Sequence, residues 1–314
     1  MTTTTQTPRI DYGIPAPDYR LPAATHLGRV RLQIADLERS VGYYERVIGL
    51  RVIEKRGGVA VLGAHGDERL LVELHELRGA RPVPRRGRLG LYHFAILLPD
   101  RASLGRFLAH LEQIGAYAGM SDHFVSEAIY LTDPDGLGIE VYADRPRNEW
   151  KHEARQLLMT TVPLNEESLL RAATASGRPD EVLWAGLPAG TVIGHVHLYV
   201  GDLEAAAAFY HVGLGLDKIV WNYPGALFMS AGGYHHHLGT NTWASDAPSA
   251  GLVDARLLEW EVIVPAPADA AEAARSLTRA GWTVAQDGAE WLAADPWGTT
   301  LRIKADRATR IEPT

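Results

Sequence analysis

The chain carries 13 histidines and no cysteine. Without thiols there is no disulfide, no thiolate nucleophile and no zinc–thiolate site. Any metal must then be held by imidazole and carboxylate, a set that suits Fe(II), Mn(II) or Ni(II) as readily as Zn(II). One stretch, residues 121–146, places such groups on a recognisable scaffold. Tyr130-Leu131-Thr132 leads into Asp133-Pro134-Asp135-Gly136, and Leu137 to Tyr142 returns, which reads as a hairpin. On the return strand Leu137, Ile139 and Val141 share one face, and Glu140 and Tyr142 the other. Asp133 and Asp135 explain themselves as turn residues rather than as a carboxylate pair. Two further strands repeat the parity. Gly194, Val196, Leu198 and Val200 form an apolar face opposite His195 and His197, while His93 alternates with Phe94, Ile96 and Leu98. Taken alone, Glu140 would be a solvent-facing residue of an ordinary hairpin, and each histidine a packing residue.

The elements that could bring these residues together follow from length and repetition. At 314 residues the chain suggests about two domains, and 46% apolar with 22% charged residues describes a globular protein with a real core. A net charge of -7 argues against nucleic-acid or anionic-membrane partners. The opening MTTTTQTPRI has no apolar stretch of signal-peptide type, and no run approaches membrane-spanning length, so a cytoplasmic location is expected.

Arg29 to Leu50 aligns without a gap on His195 to Leu216: Asp36, Leu37, Glu38, Tyr44, Gly49 and Leu50 recur as Asp202, Leu203, Glu204, Tyr210, Gly215 and Leu216. The same offset carries Pro99 to Pro265 and Gly115 to Gly281, and a short deletion aligns Asp133-Pro134 with Asp295-Pro296. Each half divides again. Asp36 can cap a helix ending at Gly49, and a second helix over Leu104–Ile114 ends at Gly115. The expected class is α+β, with four βαβββ modules over residues 24–80, 88–146, 190–246 and 255–306. They group by sequence into halves 24–146 and 190–306, flanked by a loose tail 1–23, a linker 147–189 with a helix near Glu166–Ala173, and a tail 307–314.

Four such modules, with the D-L-E…Y…G-L and D-P-D-G-x-x-x-E signatures, resemble the vicinal oxygen chelate superfamily of glyoxalases, bleomycin resistance proteins and extradiol dioxygenases. The resemblance covers nearly the whole chain after the tail. GLYHFAILLPDR, YLTDPDGLGIEVYADRPR and SAGGYHHHLGTNTW are most similar to the bacterial catechol 2,3-dioxygenase group. The fold implied is two cupped mixed β-sheets, each made from two modules, with a metal inside a cup.

The resemblance implies ligands on the first strand of a module and at the Glu of its last strand. The first-strand positions are Arg29, His93, His195 and Glu259, and the last-strand positions of modules two and four are Glu140 and Arg302. The complete set is therefore His93, His195 and Glu140, a two-His-one-carboxylate triad that requires modules two and three to share a cup and leaves modules one and four metal-free. His26 is the alternative ligand; it would place the triad in the first half, but it shares parity with the helix-facing Gly28, Val30 and Leu32 unless a bulge intervenes. Tyr130 stands at the spacing of the tyrosine beside the metal in the resembled enzymes, His123 near their oxygen-side histidine, and His236 at their acid/base histidine, with His235 and His237 of the same triplet left open as the substrate contact. Asn241, Trp243 and Tyr199 are candidate pocket residues, and His197 is open between supporting a ligand and packing.

The function implied is metal-dependent extradiol ring cleavage of catechol or a substituted catechol by O2 at non-haem Fe(II), with Mn(II) as replacement metal. The alternatives are a hydroquinone-type ring-cleaving dioxygenase, a glyoxalase-like isomerase, which typically uses four ligands with two of them Glu, and a metal-free small-molecule binding protein. A small aromatic diol, O2 and further copies of the chain are the expected partners.

Overall fold

A computed structural model describes residues 12–174 and 184–306. The loose-tail expectations for residues 1–11 and 307–314 lie outside the described residues.

Each module supplies one strand, a helix and three more strands. Module one contains β1 (His26–Ile34), α1 (Leu37–Tyr43), β2 (Arg51–Arg56), β3 (Val59–Gly63) and β4 (Val72–Glu76). Module two contains β5 (Gly90–Leu97), α2 (Arg101–Ile114), β6 (Gly119–Asp122), β7 (Ser126–Thr132) and β8 (Gly138–Asp144). A two-stranded ribbon, β9 (His152–Glu153) and β10 (Gln156–Leu157), and α3 (Glu166–Ala173) join the halves. Module three contains β11 (Val192–Tyr199), α4 (Leu203–Ala207), β12 (Asp217–Val220), β13 (Ala226–Ser230) and β14 (Leu238–Asn241). Module four contains β15 (Arg256–Val264), α5 (Pro267–Arg279), β16 (Val284–Asp287), β17 (Glu290–Ala294) and β18 (Thr300–Ala305).

The helix starts follow from their capping side chains. Asp36, Asp100 and Asp202 each accept a hydrogen bond from the backbone N–H three residues on, at 2.9, 2.7 and 2.7 Å. In modules one and three the helix continues as a π-helical turn, over Tyr44–Ile48 and Ala208–Gly213. The recurrence of this unusual feature is a structural signature of the duplication.

The strands form two mixed eight-stranded sheets. One runs β16-β17-β18-β15-β1-β4-β3-β2, the other β12-β13-β14-β11-β5-β8-β7-β6. Modules one and four therefore share a sheet, and modules two and three share the other, through antiparallel pairs β1–β15 and β5–β11. The halves 24–146 and 190–306 are thus not two separate cups, because each sheet takes one module from either half. Helix-facing residues of both sheets, among them Leu32, Phe94, Ile139, Val196 and Val262, belong to one continuous buried apolar cluster. Full burial of each large side chain contributes about 1.5–3 kcal/mol, so the two sheets are held as one core.

Two connecting segments depart from expectation. Residues 12–23 are packed rather than loose: Ile14 exchanges backbone hydrogen bonds with Lys218, Arg20 pairs with Asp217, and Ala16 and Leu21 are buried. The linker is equally engaged, since Val162 exchanges backbone hydrogen bonds with Asp122 at the edge of β6. Among the described residues no helix is long and apolar enough to cross a membrane.

Candidate metal centre and its cavity

Register places the ligand candidates on one face of one sheet. His93 on β5 lies opposite His197 on β11, His195 opposite Ala95, and Ala95 beside Glu140 on β8. An irregularity between Ile193 and His195 accommodates Gly194, where a Cβ would stand 1.8 Å from the Tyr142 hydroxyl. Only glycine permits that approach, so the bulge and the orientation of His195 depend on it.

His93 Nε2 and His195 Nε2 lie 3.0 and 3.1 Å from the same oxygen of Glu140, and one ligand atom from each residue lies within 4.8 Å of the others. All three residues are buried, and His93 Nε2 makes no well-formed hydrogen bond despite its burial. A buried nitrogen without a partner is costly unless something else uses its lone pair. Burial drives the His195 pKa down to about 4, with Glu140 opposing, so its imidazole is neutral. Burial alone would raise Glu140, but His195 and His93 overcome it and hold the carboxyl well below its ordinary range. A neutral imidazole and an ionised carboxylate are the protonation states that metal ligation needs. The residues fit a divalent cation.

His26 does not join them. It lies exposed on β1 of the other sheet, with Nδ1 3.3 Å from the Ala24 carbonyl oxygen. The strand does carry an irregularity between Leu27 and Val30, yet it leaves His26 outside the cluster.

The other predicted residues gather around the triad. His123 Nδ1 lies 2.6 Å from the Thr160 carbonyl oxygen and Nε2 lies 2.6 Å from the Tyr130 hydroxyl. A carbonyl can only accept, so Nδ1 carries the proton and Tyr130 donates to Nε2. Burial, then Glu140, pushes the Tyr130 pKa well up, keeping the phenol protonated. His236 packs on His195 with ring centroids 4.1 Å apart. Its Nδ1 lies 2.7 Å from His235 Nδ1, and His235 Nε2 lies 2.9 Å from Asp144. Burial holds His236 neutral. His237 instead accepts the Ala231 backbone N–H at 3.2 Å, a structural duty. His197 is held at 2.9 Å by the Asn241 amide and stacks edge-on against His93. Asn241 therefore positions a neighbour of the triad, whereas Trp243 and Tyr199 line the cavity.

That cavity has a volume of about 520 Å3 and is lined at its floor by His93, Glu140, Tyr130, His123, His197 and His236. Tyr92, Tyr223, Phe228 and Trp243 form aromatic walls, and Met159, Thr160 and Thr161 from the linker close one side. The linker wall had no local motif to betray it; its only sequence signal is that Val162 opens a short apolar stretch able to extend the sheet edge.

The other sheet shows what the same backbone does with different residues. Arg31 pairs with Glu259 on β15 and with Glu73 on β4, as His197 pairs with His93 on β5 and Gly239 on β14. Arg302 stands beside Glu261 as Glu140 stands beside Ala95. The triad is replaced by a charged network in which Arg302 grips Glu259 at 2.7 and 3.0 Å, and Arg29 and Arg31 reach Glu73 at 2.8 and 3.3 Å. The position of Glu73 is occupied in the triad's sheet by Gly239, where a Cβ would already crowd the His197 ring at 2.9 Å. No fourth carboxylate can reach the triad from that strand.

The family model for the Glyoxalase/Bleomycin resistance protein/Dioxygenase superfamily matches residues 26–141 and 192–301. The chain belongs to that superfamily. Within it, a curated Catechol-2,3-dioxygenase of Bacillus subtilis (strain 168) is 44% identical over 276 residues, covering 87% of this chain and 94% of that protein. A solved structure, a putative dioxygenase from Bacillus subtilis subsp. subtilis str. 168, superposes with a TM-score of 0.63 at 13% identity, covering 92% of this chain and 87% of that one. Glyoxalase I from Zea mays gives a TM-score of 0.50 at 16% identity, covering 89% of this chain and 92% of that one. At those identities the two structures establish a shared fold.

Proposed function

We propose that this superfamily member is an extradiol ring-cleaving dioxygenase that opens catechol or a substituted catechol with O2. The observation carrying the reading is the donor set: two imidazoles and one carboxylate converge, and Gly239 stands where a fourth carboxylate would be needed for the glyoxalase-like alternative. The name of the 44% identical Bacillus subtilis relative points the same way.

His93, His195 and Glu140 would hold Fe(II), or Mn(II) in its place. When bound, the metal supplies a redox-active centre with positions left open by a three-residue ligand set. The protein does the rest. The aromatic walls clamp a planar ring against the floor and exclude water. Tyr130, its proton directed to His123 Nε2, can turn its phenol oxygen toward a diol oxygen as acceptor. His236, with Nδ1 engaged by His235, has Nε2 left for the cavity and can hold the diol proton there. Both atoms of O2 enter the ring-opened product, so no external reductant is needed.

Anaerobic reconstitution with Fe(II), followed by catechol and air, tests this. Yellow semialdehyde with one O2 consumed per ring is expected. A stoichiometrically loaded chain that yields neither colour nor oxygen uptake with any catechol would refute it.

A further inference from the structure

The cavity mouth carries a charge pattern that plain catechol does not use. The segment before β5 holds four arginines in eight residues: Arg81, Arg85, Arg86 and Arg88. Arg81 and Arg88 both grip Asp254, at 2.8 Å each. Arg85 and Arg86 have no carboxylate partner among the described residues, and both line the cavity. Glu140, at the floor, is the only acidic residue among the cavity's lining residues. In a chain of net charge -7, the entrance to this cavity is cationic.

The backbone makes this placement more pointed. Gly87 N–H donates to the Pro84 carbonyl oxygen at 2.8 Å, closing a four-residue turn in which Arg86 is the third residue. Arg86 has φ 58°, the left-handed region where glycine is the usual occupant of that turn position. A long side chain thus stands at a site whose backbone favours none. It lies beside Tyr199: burial, then Tyr92, pushes that phenol up to about 12, while Arg86 and Arg85 oppose the shift. The Tyr199 ring lies 4.7 Å from Tyr92, and Tyr92 lies 4.6 Å from the His93 ring. The guanidinium is thus two ring contacts from a triad residue, in reach of a ring substituent rather than of the diol itself.

We propose that Arg85 and Arg86 form an anion-recognising rim, and that the diol opened in this cavity carries a carboxylate on a short spacer. The assignment rests on the ring-cleaving reading above. The diol end meets the triad, the ring lies among Tyr92, Tyr223, Phe228 and Trp243, and the carboxylate reaches the guanidinium pair as a forked, charge-assisted contact. A cationic mouth would also draw such an anion in from solution, an effect that weakens with salt.

The test compares catechol with 3-(2,3-dihydroxyphenyl)propanoate on the Fe(II)-loaded chain, as wild type, Arg86→Gly, Arg85→Gln and, as control, Arg56→Gln on the far sheet. Anaerobic calorimetry with 3-phenylpropanoate, which lacks the diol, reads binding without turnover. The wild type is expected to favour the carboxylated diol in kcat/KM, with a KM that rises with salt. Arg86→Gly and Arg85→Gln should each lower the ratio of carboxylated to plain catechol about 10-fold through KM, while Arg56→Gln keeps the wild-type ratio. Because glycine suits the turn, Arg86→Gly should melt no lower than wild type, which separates lost recognition from lost folding. An unchanged ratio in both rim variants, or a wild type that prefers plain catechol at every salt concentration, overturns the proposal. If neither diol is opened but 3-phenylpropanoate binds in an Arg86-dependent way, the rim stands and the ring-cleaving reading falls.

Discussion

Arg302→Met is the sharpest probe of how the second sheet satisfies its buried carboxylates. Arg302 is buried on β18 and makes two hydrogen bonds to Glu259, at 2.7 and 3.0 Å, and one each to Asp287 and Glu290, both at 2.8 Å. Removing one partner of a buried pair costs about 3–5 kcal/mol because the remaining charge is stranded. Here the loss is limited on two sides. Glu259 keeps Arg31 at 2.9 Å, and the Asp287 side chain, 61% exposed, can return to water. The expected cost is therefore at the lower end, about 3 kcal/mol. With an unfolding entropy of about 2.1 cal/mol/K per residue over roughly 300 residues, that corresponds to a Tm lower by about 5 °C. Far-ultraviolet circular dichroism on heating measures it, alongside metal content by mass spectrometry. Metal content should match wild type, since the triad lies on the other sheet. Adding Glu259→Met removes the stranded charge and should restore at least half the lost Tm. The reasoning fails if Arg302→Met melts like wild type, or if the double variant is worse than the single.

Three further outcomes follow from the site and its mirror. His195→Ala should lose bound Fe(II) on gel filtration, whereas His26→Ala should keep it; the reverse result would move the metal to the first half of the chain. Gly239→Ala forces a Cβ to 2.9 Å from the His197 ring, an overpacking cost of about 1–3 kcal/mol; slower turnover with iron retained is expected, and unchanged kinetics would show that His197 does not support the floor. Glu73 is held down to about 2 by its hydrogen bond to His75, with Arg29 and Arg31 adding to it against burial. A carboxyl depressed in the folded state binds protons more readily when unfolded, so its stabilisation is present above about pH 4.3 and drains as pH falls toward 2. As pH falls from about 4.3 toward 2 the Tm should drop more steeply in wild type than in Glu73→Gln, and parallel curves would contradict the assignment.

How much of this was legible beforehand divides along physical lines. The α+β modules were legible because duplication repeats its capping aspartates and turn residues, and because period-two alternation marks which face each strand buries. The ligand positions came from the superfamily resemblance, which required modules two and three to meet, and the same parity supported His93, His195 and Glu140 on one face. Contacts made by irregular backbone were not legible. Residues 12–23 looked loose and residues 147–189 read as a linker, yet Ile14 pairs with Lys218 and Thr160 orients His123. A carbonyl acceptor has no side-chain signature, so no sequence pattern announces it. Arg86 was invisible for a related reason: its meaning depends on a left-handed φ that a Pro-Arg-Arg-Gly string does not declare.

The two sheets finally argue why only one of them is suited to a metal. Their central strands pair in the same antiparallel arrangement, so the difference lies in charge satisfaction rather than shape. On the far sheet Glu73, Glu259 and Glu261 each meet an arginine or lysine within hydrogen-bonding distance, and Lys304 reaches Glu261 at 2.6 Å. A cation entering there would have to displace partners already desolvated and paired, which the low-dielectric interior makes expensive. On the near sheet Glu140 faces two imidazoles rather than a guanidinium or an ammonium, and His93 Nε2 has no well-formed hydrogen bond. A cation entering there meets a carboxylate with no permanent counter-charge and an unused lone pair. One framework thus stands twice with its buried carboxylates met in two ways: protein cations answer them on one sheet, and on the other two imidazoles stand beside Glu140 in a set that fits a divalent cation.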